Sequence, residues 1–185
     1  MTDEQLMAAI TGGDREAFSL AVMRFARSLA NYAYRMLGNE AEAEDVTQET
    51  MLRLWTQAER WDPARASLTT WLHRITHNLC IDLIRKNRLL TGQNDDQLDD
   101  ESNAAGHEEA FDQGAMSDRL HAAIATLPER QRSALVLTHF QGLSNRDVAI
   151  ILDISVGALE SLLARARRQL KSLLIDTENA GGAHL

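Results

Sequence analysis

A single cysteine, two prolines and an aromatic share of 5% in 185 residues set the first limits. Cys80 alone cannot close a disulfide, so the fold has to rest on its apolar core, as in proteins of reducing compartments. Pro63 and Pro128 are the only prolines, which leaves long stretches free of helix breakers. No uninterrupted apolar run exceeds five residues, against the roughly 20 that a spanning helix requires, so membrane insertion is not expected. The opening Met1-Thr2-Asp3-Glu4 carries acid where a secretory leader carries Lys or Arg, and a cytoplasmic protein is predicted. Positive charge is short too: 19 basic residues stand against 27 acidic ones, a net charge of −8, which excludes a nucleic-acid packer acting through its overall field. Period-two alternation is missing, and with it any strand signal. No Walker glycine loop, Ser-His-Asp order or paired-carboxylate motif occurs, so no enzyme activity, small-molecule substrate or cofactor is expected.

The charge is unevenly placed. Residues 1–88 hold 12 acids and 11 bases, residues 89–118 hold nine acids and no base, and residues 119–185 hold six acids and eight bases. The middle stretch, polar, Gly-dotted and self-repelling, has the composition of a chain that stays unfolded. It reads as a flexible acidic linker over 89–116 between two small all-α domains, 1–88 and 117–175, with a disordered tail at 176–185.

Helical signals fill both domains. Thr2 to Thr11 ends at Gly12-Gly13; Asp14 caps a helix that stops at Gly38 and carries Phe18, Val22, Phe25, Leu29, Ala33 and Met36 on one stripe. The acids Glu40, Glu42, Glu44 and Asp45 open a third helix to about Ala58. A turn around Trp61-Asp62-Pro63 leads to a fourth, from Thr69 to about Arg88, with Leu72, Ile75, Leu79 and Leu83 inward. In the second domain a helix from Ser117 to Thr126 precedes one with Pro128 at its first position, running to about Gln141. Ser144 and Asp147 then form a carboxylate version of the capping box for a helix Asn145 to Leu152, and a second helix starts after Ser155 and extends to about Ile175. With Ala149 small at the crossing, Val148, Leu152, Ile154, Leu159 and Leu162 inward, and Ser155, Gly157, Glu160, Ser161, Arg165 and Arg168 outward, this is the pattern of a helix-turn-helix. A plain helical hairpin would share part of it.

One further constellation lies on the fourth helix. His73, His77 and Cys80, at i, i+4 and i+7, fall within an arc of about 60°, the spacing of metal ligands. Asp82, the nearby carboxylate, is about 180° from His73 and cannot serve such a site as a base. The bland reading is two core positions and one phosphate contact, and no metal is assigned.

Four segments resemble bacterial sigma factors of the extracytoplasmic-function class. They are Asp14-Arg-Glu-Ala-Phe18 with Glu44 to Trp55, Trp71 to Lys86, Leu127-Pro-Glu-Arg-Gln-Arg132 with Gly142-Leu-Ser144, and Ile154-Ser-Val-Gly157 with Ala164-Arg-Ala-Arg-Arg168. The resemblance implies a promoter-directing subunit that melts the −10 region, with core RNA polymerase, promoter DNA and an anti-sigma factor as partners. By position it implies that Asp45, Gln48, Glu49 and Arg53 meet the polymerase clamp. It implies −10 strand contacts from Trp61, Arg65, Trp71, Arg74, His77, Asn78 and Arg85, the loop Trp61 to Thr69 capturing a flipped base. It implies −35 contacts from Ser155, Val156, Gly157, Glu160, Ser161, Arg165 and Arg168. Trp61 and Trp71 are equally suited to a core. Asp153 replaces a common turn glycine, and Glu160 and Leu162 stand where Lys and Arg are frequent. The alternative is a self-sufficient helix-turn-helix regulator, which would need a dimer reading two half-sites; no dimerisation heptad is present.

Overall fold

Caps written into the sequence divide the chain. The structure, a computed structural model, describes residues 1–92 and 115–181. Helix α1 (Asp3–Thr11) starts behind Thr2, whose hydroxyl accepts from the Gln5 N–H while the Gln5 side chain accepts from the Thr2 N–H. Asp14 accepts from the N–H groups of Glu16 and Ala17 to open α2 (Arg15–Leu37), which ends on Gly38 at φ 68°, a left-handed conformation that glycine adopts without strain. Asn39 caps α3 (Glu40–Thr56), which stops two residues before the expected Ala58; Ala58–Arg60 tighten into a 3₁₀ turn. Ser67 caps α4 (Leu68–Leu90), which runs two residues beyond the expected end, into the stretch assigned to the linker.

The second lobe holds α5 (Ala115–Ala125), α6 (Glu129–Leu135), α7 (Asn145–Leu152) and α8 (Val156–Gly181). Pro128 stands at the N-cap (φ −50°, ψ 142°), one position earlier than expected, and the helix begins at Glu129. Nor does α6 continue as an α-helix to Gln141: Val136–Phe140 widen into a π-helical turn, closed by Gln141 N–H to the Val136 carbonyl at 3.0 Å. Helix α8 passes the expected end at Ile175 and reaches Gly181, inside the stretch expected to be a disordered tail. Most of the linker assignment, residues 93–114, lies outside the described residues, as do residues 182–185.

The all-α, two-lobed organisation with a helix-turn-helix in the second lobe agrees with the sequence reading. The cores are less separate than the sequence implies. One cluster belongs to the first lobe, with Leu6, Ile10, Phe25, Leu29, Leu54, Leu68 and Leu72 at its centre. The other is built jointly: Tyr32, Ala33 and Met36 of α2 and Cys80 and Ile81 of α4 pack with Ile124, Leu127, Leu135, Leu137, Val148, Ile151 and Leu159. Helix α4 carries apolar residues on two sides. Leu72 faces the first cluster, while Leu79, Leu83 and Ile84 lie half-buried against the shared one. Its packing partner there is α7, and the π turn rests on α2.

Candidate nucleic-acid interface

Helix α3 turns Val46, Met51 and Leu54 inward, which leaves Asp45 and Gln48 on the exposed side. Glu49 and Arg53, one turn apart, are half-buried and form an ion pair at 2.8 Å. The four residues assigned to a polymerase contact therefore lie on one helix, two free in solvent and two joined to each other.

The loop before α4 is pinned from within. Trp61 is half-buried on the first-lobe core and its indole N–H donates to the Ala66 carbonyl at 3.1 Å, closing the six-residue loop 61–66. Asp62 accepts from the Ala64 N–H at 2.9 Å and pairs with Arg65 at 3.3 Å, while the Arg65 side chain stays 87% exposed. Trp71 packs half-buried against the same core. Both tryptophans thus shape the loop, and Arg65 is the group it offers to solvent.

Along α4, Arg74, Asn78 and Arg85 are exposed. At i, i+4 and i+11 they fall within about 40° of one another and span about 16 Å, a stripe suited to an extended strand. His77 is different. It is half-buried, its Nδ1 lies 2.8 Å from the Tyr32 hydroxyl, and desolvation, helped by the charge of Arg85, pushes its pKa down to about 4. The ring is neutral at pH 7 and packs inward, so the structure gives it no exposed cation to set against a phosphate. His73 is buried, its Nδ1 donating to the Thr69 carbonyl at 2.8 Å and its Nε2 lying 3.3 Å from the Gln141 side chain; burial lowers its pKa. Cys80 is fully buried and its thiol is pushed up to about 12 by desolvation. The ring nitrogens of His73 and Nδ1 of His77 thus face protein partners, and among the described residues no group of three His, Cys, Asp or Glu side chains could hold a metal ion.

The helix-turn-helix is assembled as its residues dictate. The Ser144 hydroxyl donates to the Asp147 carboxylate at 2.5 Å and accepts from its N–H at 3.2 Å, fixing the start of α7. Asp153 takes the left-handed turn at φ 54°, and Ser155 accepts from the Ala158 N–H at 3.1 Å to open α8. Ala149 is buried at the crossing. Val148 and Leu159 are buried as expected, whereas Leu152, Ile154 and Leu162 are only half-buried; Ile151, Leu163 and Ala166 complete the inner face, because buried positions on α8 advance by four and three residues from Leu159. Ser155, Val156, Gly157, Glu160, Ser161, Arg165 and Arg168 are all exposed. Ser161 donates to the Gly157 carbonyl at 3.2 Å, and neither arginine belongs to an ion pair among the described residues.

Sequence reasoning missed the residues that join the lobes. Gln141 places its amide 2.6 Å from the Ser28 hydroxyl as well as near His73, and Arg35 reaches His121 at 2.7 Å while covering the Phe140 ring. No spacing signals them, since the π turn decides where Phe140 and Gln141 point.

Comparison with known proteins matches the two lobes separately and in order. The family model "Sigma-70 region 2" covers residues 21–89 and "Sigma-70, region 4" covers residues 117–170. The ECF RNA polymerase sigma factor SigW of Bacillus subtilis is 32% identical over 173 residues, 89% of this chain and 92% of that protein. SigE of Mycolicibacterium smegmatis is 32% identical over 157 residues, 83% of this chain; the chain spans only 60% of that relative's length. Among solved structures, CnrH in complex with the cytosolic domain of CnrY is 28% identical and superposes over 94% of this chain and 97% of its own, with a TM-score of 0.70. RpoE from Bartonella quintana, in complex with the anti-sigma factor NepR, is 25% identical with a TM-score of 0.68 over 85% of this chain and 96% of its own.

Proposed function

From its membership of the extracytoplasmic-function class of RNA polymerase sigma factors, to which this chain belongs, we infer that it binds core RNA polymerase, directs it to a subset of promoters and assists melting at the −10 element. The observation that carries this reading is the presence of both regions in one chain, each with an exposed polar face. Asp45 and Gln48 on α3, with the Glu49–Arg53 pair beside them, are proposed to meet the polymerase clamp. Arg65, Arg74, Asn78 and Arg85 are proposed to hold the −10 strand, and Ser155 to Arg168 along α8 the −35 duplex. Trp61, Trp71 and His77 are proposed to position that −10 surface from behind. The proposed domain limits are 1–88 and 117–175.

An anti-sigma factor is a proposed partner because RpoE of Bartonella quintana is described in complex with one. The protein is proposed to work in the cytoplasm without catalytic chemistry of its own; no described helix is long and apolar enough to cross a membrane. Gel filtration with purified bacterial core polymerase, followed by run-off transcription, tests the whole reading. Co-elution and promoter-dependent transcripts are expected. Tight binding to an operator as a dimer, without polymerase, would replace it with the self-sufficient regulator.

A further inference from the structure

Helix α2 carries cations that none of the polymerase or promoter assignments uses. Arg24, Arg27, Ser28, Asn31 and Arg35 stand at i, i+3, i+4, i+7 and i+11, within an arc of about 100°, and the arginines span about 16 Å of the helix. Phe140 and Gln141 of the π turn face them across an open cleft of about 390 Å³. That volume lies in the range of small-molecule sites, roughly 300–1,000 Å³. Three arginines and no carboxylate line it, in a chain of 27 acidic and 19 basic residues. The cleft thus reverses the sign of the whole molecule.

The donors along this groove are only partly occupied. Arg27 is exposed and belongs to no ion pair among the described residues. Arg24 pairs with Asp3 of α1 at 2.8 Å and keeps half of its side chain exposed. Arg35 lies over the Phe140 ring, 4.2 Å from its centroid, with Nη1 2.7 Å from His121 Nε2, while its Nε has no hydrogen-bond partner. Ser28 donates to the Gln141 amide oxygen at 2.6 Å, which leaves the amide nitrogen as a donor for another acceptor. Asn31 is exposed between Arg27 and Arg35. Guanidinium forks and amide donors set along a groove are the chemistry that recognises phosphoryl oxygens. Arg27 and Arg35 are about 12 Å apart along the helix axis, a separation that suits a chain of phosphoryl groups better than a single one.

We propose that this cleft is a binding site for a small polyphosphate anion, held by Arg27 and Arg35, with Arg24 at one end and the Asn31 and Gln141 amides between them. Asp3 already offsets Arg24, so Arg27 and Arg35 carry most of the attraction. The chemistry is shared by free inorganic polyphosphate and by the phosphate chain of a nucleoside triphosphate. Phe140 is the one ring in the lining and is already covered by Arg35, so the phosphate chain is the part recognised. An occupant would touch both α2 and the π turn and so stabilise the folded chain in proportion to its concentration. The site goes beyond the sigma-factor reading and does not depend on it.

The test is calorimetric titration of the full chain with inorganic tripolyphosphate at physiological salt, with ATP, GTP and single phosphate run alongside. Because neither polymerase nor promoter is present, its outcome is separate from that of the sigma-factor reading. One site of micromolar Kd is expected for tripolyphosphate, with single phosphate at least about tenfold weaker and a melting temperature that rises with probe concentration. Arg27→Gln, at an exposed position, should weaken binding about tenfold, and Arg27→Lys, which keeps the charge without the fork, about threefold. Arg167→Gln, which removes an exposed cation of α8 outside the cleft, should leave the affinity unchanged. Equal weakening by Arg167→Gln and Arg27→Gln, or binding only at millimolar probe, overturns the proposal, as does a single-stranded oligonucleotide that occupies the cleft more tightly than tripolyphosphate. Triphosphates that match tripolyphosphate make the nucleotide-borne chain a source; triphosphates that fail to bind leave the free inorganic anion, and both outcomes uphold the site.

Discussion

Protonation of His77 requires a buried imidazole, held beside the Tyr32 hydroxyl, to take up charge next to Arg85. Its pKa is held near 4 in the folded chain, against about 6.5 unfolded, so the unfolded chain binds more protons between those values. Stability is therefore complete above pH 6.5 and falls as the pH drops from 6.5 towards 4; His73 and His121, both lowered by burial, act in the same direction. The melting temperature is expected to decline across that window, and His77→Gln, which cannot titrate, to flatten the decline. The family resemblance, by position, placed His77 among phosphate contacts; its burial depends on Tyr32, 45 positions away, which no local pattern reports. The residues of α3 were legible by contrast, since a polar side chain off an apolar stripe faces outward with or without a partner. Gln48→Ala with Glu49→Ala should abolish co-elution with core polymerase while changing stability by about 0.5 kcal/mol or less, because the Glu49–Arg53 pair is exposed enough to contribute little.

Helices announced themselves through their caps, and Thr2, Asp14, Gly38 and Ser144 behave as their chemistry requires. The π turn did not, since Val136 to Phe140 carries no residue that would distinguish it from an α-helical turn. Deleting Thr138, whose buried hydroxyl has no partner, should restore α register and rotate Gln141 by about 100° away from Ser28. Helicity should persist while the two lobes separate, as a larger hydrodynamic radius. At the turn of the helix-turn-helix, Asp153 holds a left-handed backbone that glycine holds without a Cβ clash, so Asp153→Gly should stabilise the chain by about 0.5–1 kcal/mol, seen as a melting temperature a few degrees higher. Along α8 the roles should split. Arg165→Ala or Arg168→Ala should weaken polymerase-holoenzyme binding alike for all −35 variants and lower the salt slope by about one unit. Glu160→Lys should reorder the variants, about 1–3 kcal/mol of discrimination being at stake per good base contact. An unchanged ranking would move the reading surface off this face.

At the scale of the molecule, the order of the two lobes and the acidic composition between them could be read from the sequence. Their common core could not: an apolar stripe on α4 states that Leu79, Leu83 and Ile84 need covering, and says nothing of which element covers them. A protein of net charge −8 also gains little long-range attraction to DNA, so its affinity for promoter fragments should be weak without polymerase and fall steeply with salt. The burial of Cys80 has a practical consequence. As the chain's one native thiol, set in the core that both lobes build and ionising only near pH 12, it is silent towards alkylating reagents while the lobes stay together. A thiol returned to water ionises some three units lower and reacts about a thousandfold faster. The native chain, with no label added, is its own stopwatch: the time course of Cys80 alkylation counts how often the shared core opens.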